Sequence, residues 1–173
     1  TKNGYGRKEF QVRAGETWLD LGANIGAFSC FAASKGAIVK GAYEPEPNNA
    51  ALAEHNIALN GFSIPVIRQA VIADQHSQTH LTFYVSQKPE TQWRNSLYKS
   101  KNRIPIKVET AHISDLLQGV DGVKMDIEGA EIDILFSIAS FQQVQKLAFE
   151  YHFDVNKSVP LFLEIINRLR GMF

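Results

Sequence analysis

Thr17-Trp18-Leu19-Asp20-Leu21-Gly22-Ala23-Asn24-Ile25-Gly26-Ala27-Phe28-Ser29 is the stretch that decides the fold. An apolar run closes on an acid, a glycine-bearing turn follows, and a segment rich in small residues begins. That order predicts a strand, a tight loop and a helix N-terminus that meet a ligand. Gly22 and Gly26 allow positive φ and a close approach of the backbone to a bound molecule. Asp20 falls at the strand's carboxyl end, where open α/β sheets place their ligands. A dinucleotide fingerprint would read G-x-G-x-x-G and set a helix N-terminus under a pyrophosphate. Here the order is D-x-G-x-N-x-G, with Asn24 in the middle place. The acid repels a pyrophosphate and suits a cationic amino-acid end or a hydroxyl.

Working outward, Ile38 to Glu44 reads as a second strand ended by Pro45 and Pro47. A helix over Asn48 to Asn60 follows, with Gly61 as its stop. Glu44 lies about twenty residues beyond the first loop, where this architecture sets a carboxylate on ribose hydroxyls. S-adenosylmethionine offers both the cationic amino-acid end and the ribose. Ile64 to Ala73 reads as a third strand closed by Asp74. His80 to Val85 and Ile104 to Thr110 alternate like an exposed hairpin, and Pro105 predicts an edge position. Between them, residues 87–103 carry Lys88, Arg94, Lys99, Lys101 and Arg103 against Glu90, with Trp93 and Tyr98. Such a loop suits an anionic or sugar-bearing acceptor, or is simply a solvated connection.

His112 to Gln118 predicts a short helix capped by Ser114. In Gly122-Val123-Lys124-Met125-Asp126-Ile127-Glu128-Gly129-Ala130-Glu131, a strand ends at Asp126, turns at Gly129 and leads into a helix at Glu131. Like charges crowded at a strand end raise one another's pKa, and so supply a proton acceptor near neutrality. Glu131 alone reads as a partner of the helix dipole. Lys146 to Phe153 reads as a fifth strand with Glu150 and His152 on one face. A histidine there can take a proton from a hydroxyl, supported by Glu150 or Asp126. Leu161 to Leu169 reads as a last amphipathic helix.

The alternation of strands and helices predicts an α/β fold: a doubly wound, mostly parallel sheet with an inserted β-hairpin. With 173 residues and 45% hydrophobic content, one domain with a real core is expected. Zero formal net charge gives no global field toward nucleic acid or an anionic membrane. The sequence contains no run of 18 apolar residues, so no membrane span is expected. The one cysteine, Cys30, reads as a buried structural thiol, and a reducing cytoplasm is the expected compartment. No zinc-ligand spacing is present, so no metal is expected.

Asp20-Leu21-Gly22-Ala23-Asn24-Ile25-Gly26, Glu44-Pro45-Glu46-Pro47-Asn48 and Lys124-Met125-Asp126-Ile127-Glu128-Gly129-Ala130-Glu131 together resemble the FkbM-type family of class I S-adenosylmethionine-dependent methyltransferases. The resemblance covers roughly residues 10–155 and implies a Rossmann-like methyltransferase fold. It divides the chain into a lead-in segment, 1–16, that could lie across the pocket, and one donor-binding domain, 17–173. Family members usually continue with two further strands, and this sequence reads as ending without them. The resemblance implies O-methylation of a sugar or metabolite hydroxyl, with S-adenosyl-L-methionine as cofactor. The donor would be held by Asp20, Gly22, Asn24, Gly26 and Glu44, with Ala70 and Val71 beside the adenine. His152, Glu150 and Asp126 would be catalytic, and Trp93, Arg94, Ser96 and Glu128 would face the substrate. A small-molecule acceptor is the expected partner, without nucleic acid, and a homodimer is compatible with the sequence. Two other readings compete: an NAD- or nucleotide-sugar-linked enzyme on the same architecture, and a catalytically silent donor-binding domain.

Overall fold

The computed structural model describes residues 11–86, 103–127, 129–138, 141, 143–153 and 158–172. Five strands make the central parallel sheet: β1 (Thr17–Leu21), β2 (Ile38–Tyr43), β3 (Val66–Ile67), β7 (Gly122–Met125) and β8 (Lys146–Phe149). Their order is β3-β2-β1-β7-β8, so the chain reverses direction of travel across the sheet beside β1. A reversal of that kind opens a crevice at the carboxyl ends of the strands. The α/β, mostly parallel, Rossmann-like architecture expected from the alternation is the one observed.

Alternation within β1 distributes the core between the two faces. Trp18 packs with Val39 and with Phe28 and Ala32 of α1 (Ala27–Ser34). Leu19 and Leu21 turn to the other face, joining Val123 and Met125 of β7. That face is covered by α3 (Ile113–Leu116), α4 (Glu131–Ser137) and α5 (Val159–Arg170). Gly122 lies under the Trp18 indole, and a Cβ there would meet the ring at 2.5 Å. Helix α2 (Pro47–Leu59) begins with proline at its first turn and is capped by Glu46, whose carboxylate accepts from Asn49 N at 2.7 Å. Pro47 therefore starts this helix as well as ending the approach from β2.

Three expectations are corrected. The third strand breaks at Arg68 into β3 and β4 (Gln69–Ile72), and β4 joins a second sheet. That sheet has the order β4-β6-β5, with β5 (His80–Ser86) and β6 (Arg103–His112) forming the predicted antiparallel hairpin. Strand β6 is central rather than an edge. Pro105 is tolerated because β4 pairs with Glu109 to His112, leaving the proline without a paired strand on that side among the described residues. Ser114 does not cap α3; its amide donates instead to Asp74 Oδ1 at 3.1 Å. Residues 1–10 of the lead-in lie outside the described residues. Residues 11–16 lie at the amino ends of the strands: Lys146 Nζ donates to Gln11 O and Glu16 Oε1 at the start of β8. They sit away from the carboxyl-end crevice.

Candidate active site

The glycine loop is fastened before any ligand arrives. Gly22 N and Ala23 N both donate to Tyr43 O at 2.9 Å, tying the loop to the end of β2. Gly22 has φ +75, and a Cβ on it would stand 1.7 Å from the Asp126 carbonyl oxygen. Only glycine fits between the ends of β1 and β7. Asn24 is in the left-handed region at φ 50, which asparagine accepts more readily than most residues. Its amide donates to Glu44 Oε2 at 2.8 Å, while Glu46 N donates to Glu44 Oε1 at 2.9 Å. Glu44 is 6% exposed. Burial pushes its carboxyl up to about 7, against the opposing pull of those two amides. Gly22, Asn24 and Ile25 keep the outer face of the loop open. Glu44 and Asn24, twenty residues apart in the chain, are thus brought into one hydrogen-bonded unit.

Asp20 has a different position from the one expected. Its carboxylate is fully enclosed, accepting from Ser29 Oγ at 2.7 Å and standing 3.2 Å from Lys124 Nζ. Lys124 is its register partner across β1 and β7, and donates to Gly22 O at 2.5 Å. The acid therefore anchors helix α1 and the loop from below instead of presenting a carboxylate to a ligand. The sequence pattern assigns no role to Ser29 or to the Lys124 side chain. The signal was a lysine within the apolar segment Gly122-Val123-Lys124-Met125, which must find a partner to be buried. Burial raises the Cys30 thiol pKa, with the Asp20 charge adding to it, as befits an unreactive thiol. The thiol is half-buried rather than fully enclosed.

The second half of the site lies at the ends of β7 and β8. Asp126 N donates to Leu21 O at 2.9 Å, and Glu150 N donates to Met125 O at 3.0 Å, so both acids stand at the carboxyl edge. The strand ends at Phe149, and Glu150 and His152 lie just beyond it. Ligating atoms of Asp126, Glu150 and His152 nevertheless converge within 4.8 Å of one another. His152 Nε2 is 3.7 Å from Asp126 Oδ1. The dipole role read for Glu131 is replaced by a larger one. Glu131 is 1% exposed, accepts from Ile127 N and Gly129 N, and meets His152 Nδ1 at 3.0 Å. It holds the 126–129 turn and aims the imidazole.

Ala70 and Val71 are interior, in two different cores. Buried Ile72 at the end of that strand and Ala73 just beyond it border a cavity of about 600 Å³ with His76, Lys107, Ala130 and Asp133. This cavity adjoins the Glu131 turn rather than the glycine loop. Trp93, Arg94, Ser96 and Glu128 lie outside the described residues. No described helix is long and apolar enough to cross a membrane.

A reversed parallel sheet with a tethered glycine loop and a buried strand-end glutamate defines the Rossmann-like methyltransferase class of α/β proteins. The model of the methyltransferase FkbM domain matches residues 20–172; the chain belongs to that family and is a methyltransferase. No curated protein and no solved structure matches it.

Proposed function

We propose that the chain transfers a methyl group from S-adenosylmethionine to a hydroxyl of a sugar or small metabolite. The observation that carries this reading is the Glu44 unit: a buried carboxylate at the end of β2, bonded to the loop amide of Asn24. On this reading its oxygens accept the two ribose hydroxyls, while the loop of Gly22 and exposed Asn24 borders the methionine part. Gly26 sets the start of α1, and Asp20 acts through Lys124 rather than by touching the donor.

In the transfer, the acceptor oxygen forms a bond to the sulfonium methyl as the carbon–sulfur bond breaks. The electron pair stays on sulfur, leaving a neutral thioether. The hydroxyl proton is lost at the Asp126–Glu150–His152 group. His152, with Nδ1 committed to Glu131, can act there only through Nε2.

Calorimetric titration with S-adenosylhomocysteine, NAD and a nucleotide sugar tests the donor. Binding of the first alone is expected, and Glu44→Ala should abolish it. Binding of NAD instead, or affinity unchanged in Glu44→Ala, would overturn the assignment. Turnover of S-adenosylmethionine with a hydroxylated acceptor separates an enzyme from a silent binding domain.

A further inference from the structure

We propose that Asp126, Glu150 and His152 together hold a divalent cation that binds and ionises the acceptor hydroxyl. The proposal rests on the acceptor-side reading above and specifies how that group works. Two carboxylates and one imidazole from two strand ends bring their ligating atoms within 4.8 Å of one another. A cation bound at about 2.0–2.2 Å by each group draws such atoms roughly 3.0–3.5 Å apart. The 3.7 Å between His152 Nε2 and Asp126 Oδ1 is close to that, and too long for a hydrogen bond.

The second observation comes from outside the three. Glu131, 1% exposed and fixed by two backbone amides, meets His152 Nδ1 at 3.0 Å. A metal-ligating histidine characteristically donates its second ring N–H to a carboxylate, which sets the tautomer and aims the other nitrogen. Glu131 does this here, turning Nε2 toward Asp126. Charge points the same way, because no lysine or arginine pairs with Asp126 or Glu150 among the described residues. The gradation of exposure leaves coordination positions for water and substrate: His152 is 12% exposed, Asp126 35%, and Glu150 is open.

The donor set selects the ion. One imidazole with two carboxylates favours a first-row divalent cation such as Mn²⁺ or Zn²⁺ over Ca²⁺, which takes oxygen ligands. A hydroxyl bound to the cation becomes acidic enough to release its proton to solvent water. His152 is then a ligand and not the proton acceptor. The oxygen attacks the sulfonium methyl as described, and the cation is unchanged at the end.

The test is Mn²⁺ titration of the EDTA-stripped full chain, followed by electron paramagnetic resonance of free Mn²⁺, with Zn²⁺ as competitor. One Mn²⁺ per chain is expected. Asp126→Asn, Glu150→Gln and His152→Asn should each weaken it at least about tenfold, and Glu131→Gln about 10- to 100-fold. Glu54→Gln, on the exposed face of α2, should leave it unchanged. Circular dichroism and the thermal transition establish that each variant is folded. No stoichiometric Mn²⁺ or Zn²⁺ binding by the folded wild type overturns the proposal, as does wild-type affinity in the triple variant. A chain that binds S-adenosylhomocysteine but no cation keeps the donor reading and loses this one. Cation binding without S-adenosylhomocysteine does the reverse.

Discussion

The two halves of the site are built in opposite ways. The donor half is local: Asp20 to Glu44 span one strand–loop–helix–strand unit, and its parts are locked by backbone amides and a buried ion pair. The acceptor half is assembled from separate segments: Asp126 follows β7, Glu150 and His152 follow β8, and Glu131 of α4 holds the geometry. On the proposed function, the first half enforces one geometry through local contacts, while the second depends on Glu131 to bring separate segments together.

Breaking the cradle should have the largest effect. Gly22→Ala drives a Cβ into the Asp126 carbonyl, at 1.7 Å, and strains a φ of +75. A loss of more than about 4 kcal/mol is expected, read from denaturant unfolding. The same clash pushes on Asp126, so this variant tests whether the two halves share a backbone anchor.

Lys124→Met comes next. It strands the enclosed Asp20 carboxylate without its cation, and removal of one partner of such a pair costs about 3–5 kcal/mol. The Asp20→Asn/Lys124→Met double variant should recover part of that loss. Without recovery, Lys124 acts mainly through Gly22 O.

Glu44 sharpens the comparison through pH. Its folded value of about 7 stands above the ordinary 4.5, so the folded state holds the proton more tightly. The stability contributed is complete below pH 4.5 and is lost as pH rises to about 7. Its size is on the order of 3 kcal/mol. Glu44→Gln should flatten that slope in thermal denaturation across pH 4.5 to 7. Donor affinity should move the other way, strengthening as the carboxylate forms.

The smallest global effect is expected for Glu131→Gln. An amide nitrogen now opposes Ile127 N, Gly129 N or His152 Nδ1, costing about 1–3 kcal/mol. Turnover should fall about 10- to 100-fold through misaimed His152, while S-adenosylhomocysteine affinity stays within about twofold. A parallel collapse of donor affinity would show that the two halves are not separable.

This contrast explains what could be read in the sequence. Gly22, Asn24 and Glu44 were legible because short-range turn chemistry and a fixed spacing decide their positions. Asp20 was identified and misplaced: the pattern locates an acid at the strand end, but its burial follows from Lys124, about a hundred residues away and paired across β1 and β7. Glu131 looked like an ordinary first-turn acid because its partners, Ile127, Gly129 and His152, are set by tertiary packing. The break at Arg68 was invisible for a similar reason. Residues 64–73 read as one strand with only Arg68 and Gln69 interrupting its apolar character, and pairing with β6 draws its second half into another sheet.

That break is expected to divide the molecule's cooperativity. The β4-β6-β5 sheet encloses a small cluster of its own, with Ala70, Phe83, Val85 and Val108, apart from the large core beneath the central sheet. Its amides are expected to exchange with deuterium through openings that leave β1 and β7 closed. On that expectation the hairpin can loosen while the loop between β1 and α1 stays fastened.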